Sequence, residues 1–294
     1  MNHRAPLLCQ RWRDKRTTYR PACETIDTSD YEIAPITFHD AKSFCIQHHY
    51  SGSYVSCRFR FGLFGRALTA EHWQANGLTP ELLGVAVFSV PQHPAVLTNV
   101  FPGNPNDSVE LGRFVLLDHV GANAETYFLS RCRELLRAKG LRGVVAFSDP
   151  VPRITSTGTL SPGHIGTIYQ SLSPNTVFLG RGSRKTLYLF DDGSTLQPRT
   201  ISKIRNRESG FDYACGILVN HGADKPGNDP RAWLDHWLPI LTTRVSHPGC
   251  LKYAFPLQPK VFPIGTPLPY PKQFASASEL PARTKNPAVS RQAP

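Results

Sequence analysis

Four consecutive runs decide the fold: Val109–Asp118 (VELGRFVLLD), His119–Gly140 (HVGANAETYFLSRCRELLRAKG), Val144–Pro150 (VVAFSDP) and Gly163–Leu172 (GHIGTIYQSL). The first reads as a strand, with Val109, Leu111 and Phe114–Leu117 as apolar mass and the charges Glu110 and Arg113 set inside it. The second is a polar turn followed by a helix, because Tyr127, Phe128, Cys132, Leu135 and Leu136 recur on one helical face. The third is a buried strand ending in the polar pair Ser148 and Asp149, and the fourth a helical segment carrying His164, Thr167 and Tyr169. Strand, turn, helix, strand, helix predicts an α/β (α+β) protein with a mixed central sheet flanked by helices.

Working outward, the turn is the first place to look for chemistry. Helix N-termini present free backbone N–H groups and a partial positive charge, so Val120, Gly121, Ala122, Asn123 and Ala124 are candidates to cradle a phosphate-bearing cofactor through the backbone. An ordinary βα turn capped by Asn123 is the other reading. For acid and base work the candidates are His48, His49, Glu110, Asp149 and His164, with Tyr50, Arg113, Ser148 and Tyr169 completing a catalytic set. Glu110 and Arg113 are three apart, which on a regular strand places them on opposite faces and not as partners. His49 and His164, with His48 and Asp149, also admit a His/carboxylate site for iron or zinc.

Charge points to a polyanionic partner. The 294 residues carry 33 Lys/Arg against 22 Asp/Glu, a formal net charge of +11, and Lys/Arg contacts to phosphates release condensed counterions. Seven cysteines without a C-x-x-C pair argue against a zinc ribbon and against a secreted disulfide framework. No apolar window is long enough to span a membrane, and the basic start lacks a signal-peptide core, so a cytoplasmic protein without a membrane partner is expected.

Along the chain, residues 1–30 are basic and aperiodic and read as a loose segment whose Arg4, Arg11, Arg13, Lys15, Arg16 and Arg20 could trail along a phosphate backbone. One domain is expected over 31–258, and a disordered Pro-rich tail over 259–294. Ile33–Phe38 reads as a strand, and Asp40–His49 as a helix capped by His39 or Asp40 that delivers His48, His49 and Tyr50 to its end. Tyr54–Phe64 alternates as a half-exposed strand with Arg58 and Arg60 on one face. NTVFLGRG and KTLYLF read as two strands joined by a basic turn at Arg181–Lys185, and Arg181, Arg184, Lys185, Lys203, Arg205 and Arg207 extend the candidate DNA-binding surface. The run NDPRAWLDHWLPIL at 228–241 predicts an amphipathic helix packed by Trp233, Leu234, Trp237, Leu238 and Leu241.

Taken together, HHYSGS, ELGRFVLLD, NAETYFLSR, VVAFSDP, GHIGTIYQSL, SKIRNRESG and HPGCLKYAF resemble the Mom-like branch of the GNAT acyltransferase superfamily, over roughly Ile33 to Phe255. The resemblance implies a GNAT-like fold and a phage or prophage enzyme that attaches an acyl-derived, carbamoylmethyl-type group to the N6 amine of adenine in double-stranded DNA and so protects it from restriction. It also implies acetyl-CoA or a related acyl donor, and Tyr169 as the acid beside the leaving thiolate. The superfamily's usual Arg/Gln-x-x-Gly-x-Gly/Ala turn is here HVGANAE, with one glycine. Two other readings stay open: an N-acyltransferase for a small amine or a protein, and a non-catalytic DNA-binding protein on the same fold. A homodimer is left open as well.

Overall fold

The computed structural model describes residues 8–13, 16–21, 26–65, 81–151, 153–155, 158–161, 163–172, 174 and 176–272. The chain divides into two compact units, where one domain was expected: 1–149 with 164–181 and 250–272, and 150–163 with 182–249 and 273–294.

In the first unit the strands are β1 (Leu8–Arg13), β2 (Arg16–Pro21), β3 (Tyr31–Pro35), β4 (Cys57–Gly65), β5 (Leu82–Ser89), β6 (Ser108–Leu116), β7 (Gly143–Ser148), β10 (Val177–Arg181) and β14 (Leu251–Pro256). Its helices are α1 (Phe38–His48), α2 (Ala95–Thr98), α3 (Ala124–Ala138) and α4 (Thr167–Gln170). Seven strands form one mixed sheet in the order β10-β14-β7-β6-β5-β4-β3. Only β6 and β7 among these neighbours run parallel, joined through α3. The expected mixed sheet flanked by helices is therefore present.

Burial explains the layers. β5 (LLGVAVFS) is buried at every residue after Leu82, as a central strand covered on both faces must be. Phe128, Leu129, Cys132 and Leu136 of α3 pack with Phe61, Phe88 and Leu111 in the largest core cluster, while Arg131 and Glu134 pair at 2.5 Å on its outer side. On the opposite face Ala41, Phe44 and Cys45 of α1 pack on Val85, Val87 and Val115. The cap of α1 is Thr37, not His39 or Asp40: its hydroxyl accepts the Asp40 N–H at 3.1 Å and donates to the Asp40 carboxylate at 2.6 Å.

The ends of the chain show some order. Leu8–Arg13 and Arg16–Pro21 pair as an antiparallel hairpin inside the segment expected to be loose. Residues 259–272, expected to be disordered, are a strap along the first unit. Ile264 N–H donates to Val100 C=O at 2.8 Å, Leu268 N–H to Phe178 C=O at 3.0 Å, and the Tyr270 hydroxyl to Thr176 C=O at 2.6 Å. Proline-rich chain without periodicity can be ordered when existing backbone groups supply its partners. Residues 273–294 lie outside the described residues.

The second unit has its own core. Its strands are β8 (Arg153–Thr155), β9 (Gly158–Ser161), β11 (Lys185–Leu189), β12 (Thr195–Leu196) and β13 (Thr243–His247), and its helices α5 (Pro198–Asn206), α6 (Phe211–Asn220) and α7 (Pro230–Leu241). β11 pairs with β12 and β13, so the two strands flanking the Arg181–Lys185 turn belong to different sheets. Trp233, Leu234 and Leu238 pack with Ile201, Ile204 and Leu218, as the amphipathic run predicts.

Candidate functional site

The parallel pair opens like a wedge. β6 and β7 pair only from Ser108/Gly143 to Leu111/Ala146. Beyond that, β6 stays with β5 up to Leu116, and β7 stays with β14, Ser148 opposite Leu251. The carboxyl ends of parallel strands that part company are where open α/β sheets hold ligands.

Into this wedge the fold brings most of the predicted catalytic residues, and a bulge decides how. In the β5–β6 register Ser89 faces Glu110 and Phe88 faces Leu111, but Val87 faces Arg113, leaving Gly112 as an extra residue. The extra residue cancels the alternation, so Glu110 and Arg113 share a face and feel each other's charge. That corrects the expectation of opposite faces, which assumed an unbroken period of two. Gly112 fits because it lacks a side chain: a Cβ there would sit 2.5 Å from Ser89 Oγ and 2.9 Å from Val55 Cγ2.

Arg113 is fixed by the loop after α1. Its Nε donates to Ser53 C=O at 3.0 Å, Nη2 to Ser53 Oγ at 2.9 Å and Nη1 to Gly112 C=O at 2.6 Å. Burial and the Arg113 charge, with His164 adding to them, push the His49 pKa down to about 3, so the ring is neutral at physiological pH. Ser51 N–H donates to its Nδ1 at 3.1 Å, and the Ser51 hydroxyl lies 2.9 Å from the same nitrogen. The neutral ring then carries its proton on Nε2, which makes His49 a donor and not a base. Its ring stacks on Tyr50 with centroids 4.3 Å apart, and His48 packs on Phe44.

From the other side of the wedge, His164 N–H donates to Asp149 C=O at 2.7 Å, and burial lowers the His164 pKa against the pull of the Asp149 carboxylate. Tyr169 packs edge-on against Tyr253 and Phe255, at 5.4 and 5.7 Å, and is 5% exposed. Burial first, then Tyr50, Tyr253 and Glu110, raise its phenol pKa well above the usual range, so it keeps its proton. Burial likewise raises Glu110, against the opposing charge of Arg113. His49, Tyr50, Glu110, Arg113, His164 and Tyr169 thus form one electrostatic neighbourhood.

Two residues of this neighbourhood were not singled out from sequence. Tyr253 is fully buried, donates to Ile165 C=O and accepts from Gln170 Nε2 at 3.2 Å, holding β14 to α4 and the segment before it. Ser53 anchors Arg113. Both lie inside quoted runs, HPGCLKYAF and HHYSGS, and only the spatial pairing distinguishes them.

The turn before α3 is narrower as a cradle than expected. Val120 N–H is already bonded to Leu117 C=O at 3.2 Å and Ala124 N–H to Gly121 C=O at 3.4 Å. Val120, Ala122 and Ala124 side chains are buried, and a Cβ on Gly121 would strike Ile26 at 2.7 Å. Asn123 takes φ 70° and makes no side-chain cap. The N–H groups of Ala122 and Asn123 meet no acceptor among the described residues, and they sit at the N-terminus of a fifteen-residue helix. These two fit a phosphate group.

The basic residues divide. Arg58 donates to Asn106 C=O from an exposed position, but Arg60 is half-buried and donates from Nε to Ile36 C=O at 2.9 Å, on the α1 side. They are not one exposed face, because the β4–β5 register slips between Cys57 and Phe59. Arg181 ends β10 exposed. In the second unit Arg184 and Lys185 are exposed, Arg205 pairs with Asp235 at 3.3 Å, Arg207 donates to Asn228 C=O at 2.5 Å, and Lys203 lies near Glu208. For iron or zinc, the described residues of the first unit bring no three His, Cys, Asp or Glu ligand atoms within 4.8 Å of one another, so His48, His49, Asp149 and His164 make no three-ligand cluster there.

The profile of the Mom protein family matches residues 30–223, which spans both the wedge and most of the second unit. The chain belongs to the Mom protein family. No curated protein matches this Mom-family chain in sequence. Among solved structures it is similar to a tandem GNAT protein from the clavulanic acid biosynthesis pathway, without AcCoA, at 8% identity and a TM-score of 0.37, covering 78% of this chain and 99% of that one. No helix among the described residues of this Mom-family chain is long and apolar enough to cross a membrane.

Proposed function

We propose that this Mom-family chain modifies adenine in DNA, transferring an acyl-derived group to the exocyclic N6 amine. The observation that carries the reading is the wedge, where a carboxyl group with a raised pKa, a phenol that keeps its proton and a neutral imidazole N–H converge beside a fixed guanidinium. An acyl-CoA-type donor, when bound, supplies the activated carbonyl, and the open N–H groups of Ala122 and Asn123 would hold its phosphates.

An adenine amine is conjugated with its ring and does not attack without losing a proton. Glu110, once ionised, accepts that proton, and its raised pKa makes it a stronger base than an exposed carboxylate. His49 Nε2–H and Arg113 stabilise negative charge as it develops on the carbonyl oxygen. Tyr169 gives its proton to the departing group, and Tyr253 and Phe255 hold its ring in place. Inside a duplex the amine is paired, so the base is met flipped out or single-stranded.

Nucleoside mass spectrometry of DNA from cells expressing the chain tests this directly. A new adenine derivative is expected with wild type, and its yield should fall about 10²–10⁴-fold in Glu110→Gln and Tyr169→Phe, the usual range for a lost acid or base. Unmodified adenine with wild type, or full yield in both variants, overturns the reading.

A further inference from the structure

The strap at 259–272 and the helix that carries Tyr169 meet at one side chain. Gln170 is half-buried, and its Nε2 lies 3.1 Å from Ile165 C=O, 3.2 Å from the Tyr253 hydroxyl and 3.2 Å from Pro271 C=O. Two of these partners are carbonyls, which only accept, so the NH2 end of the amide faces all three. That group has two protons for three oxygens. The Tyr253 hydroxyl is itself bonded to Ile165 C=O, so those two oxygens are close enough to share one proton, and the other goes to Pro271. One amide thus joins the segment before α4, strand β14 and the strap, three stretches far apart in sequence.

We propose that Gln170 is a positioning residue for Tyr169, and that through it the strap, which lies beyond the family-matched residues 30–223, helps to hold the acid in place. The inference rests on the reading of Tyr169 as the group that protonates the departing group. α4 is four residues long, and a single helical turn is not stable alone, so its pose is set by what it touches. The Tyr169 ring meets Tyr253 and Phe255 edge-on. Space beside it is tight. A Cβ on Gly166, where φ is 74°, would sit 2.8 Å from both Tyr169 Cδ2 and Tyr253 Cε2. With two rings pressed on bare backbone, Tyr169 shifts only if Tyr253 shifts. Tyr253 is held at its hydroxyl by Gln170 and Ile165, and the Tyr270 ring of the strap lies 6.5 Å from its own, centroid to centroid. Loss of the Gln170 amide frees Tyr253 and the strap together, and a displacement of a reacting group by about 1 Å can cost about 10²-fold.

The test follows the rate at which the adenine derivative accumulates in DNA after induction of the full chain, together with melting temperatures of the purified proteins. Gln170→Met keeps the volume and removes the donors, and Gln170→Ala is a second variant free of any misfit of the longer side chain. Ser171→Ala, which removes a hydroxyl bonded to Thr167 C=O at 3.0 Å on the exposed side of the same turn, is the control and should keep the wild-type rate. Each Gln170 variant should slow accumulation about 10–100-fold with a melting temperature close to that of wild type. The deciding comparison is a double-mutant cycle. In a Tyr169→Phe background no phenol is left to position, so the Gln170 changes should cost nothing further. A wild-type rate in both Gln170 variants overturns the assignment and leaves the adenine reading intact. Equal slowing with and without the phenol, or failure of both variants to fold, makes Gln170 a general support of the structure and also overturns it. A wild-type rate in Tyr169→Phe removes the acid and this inference with it, and absence of any derivative with wild type overturns the adenine reading beneath both.

Discussion

Arg113 shows how much a single side chain can organise. Its three hydrogen bonds tie the loop after α1 to the bulge in β6, and its charge is part of what keeps His49 neutral. Lysine cannot reproduce the fork, so Arg113→Lys should lower turnover about 100-fold by misplacing that loop, with little change in melting temperature. Normal turnover in this variant would make the residue's role purely local. Glu110 sets the pH response. Because only the ionised form accepts a proton, the rate should rise with pH through a pKa above the ordinary carboxylate range, and this limb should vanish in Glu110→Gln. The stability sign is opposite: the folded state holds the Glu110 proton more tightly, so its contribution is complete at low pH and is lost as pH rises through the raised pKa. His49 adds no limb near pH 6.5 to the rate, since its pKa lies at about 3; it destabilises the fold as pH falls from 6.5 toward 3, where only the unfolded chain takes the proton. The residue types at the wedge were legible in sequence because charges inside an apolar strand need a reason. Their pairing was not, because a one-residue bulge leaves no mark in an alternation pattern except a glycine.

Strand β6 is the element on which the site depends. A methyl group at Gly112 meets Ser89 and Val55 below normal contact, so Gly112→Ala should cost about 1–3 kcal/mol by chemical denaturation. Adding Ser89→Gly should recover part of that loss by removing the nearest atoms. If Gly112→Ala unfolds at wild-type denaturant, the register shift is absent in solution. Helix α3 was readable throughout because Phe128, Leu129, Cys132 and Leu136 repeat at helical spacing and all are buried. Its leading turn was read too generously: the sequence offers five backbone donors, and only the folded hydrogen bonds show that Val120 and Ala124 have spent theirs. The cap of α1 was missed by two or three positions for a similar reason, since Thr37, His39 and Asp40 all precede the buried Ala41, Phe44 and Cys45 and only geometry selects Thr37.

For the whole molecule, two cores mean two stabilities. Leu218→Ala removes a fully buried side chain from the second unit and should destabilise that unit by about 2–5 kcal/mol. Hydrogen exchange should then quicken in α5–α7 while β5 and β14 keep their protection; equal loss in both would mean that the units unfold as one. The division was hidden in the sequence because the first unit is discontinuous, resuming at 164–181 and 250–272 after segments of the second. Net charge is unevenly spread along the sequence. Residues 182–249 hold nine Lys/Arg against seven acids, a nearly balanced surface, whereas residues 1–25 hold six against two. Composition gives the sum of charge and says nothing of where it gathers.

The strap at 259–272 also bears on how the chain can be handled. β10 is an edge of the seven-stranded sheet, and Leu268 N–H occupies a carbonyl of that edge at Phe178. The other edge, β3, ends in Pro35 and carries Glu32, two features that discourage strand addition. Cutting the chain at residue 258, as composition invites, would leave β10 bare, and open edges recruit strands from other molecules. Such a truncation should scatter light and sediment on standing at concentrations where the longer chain stays clear.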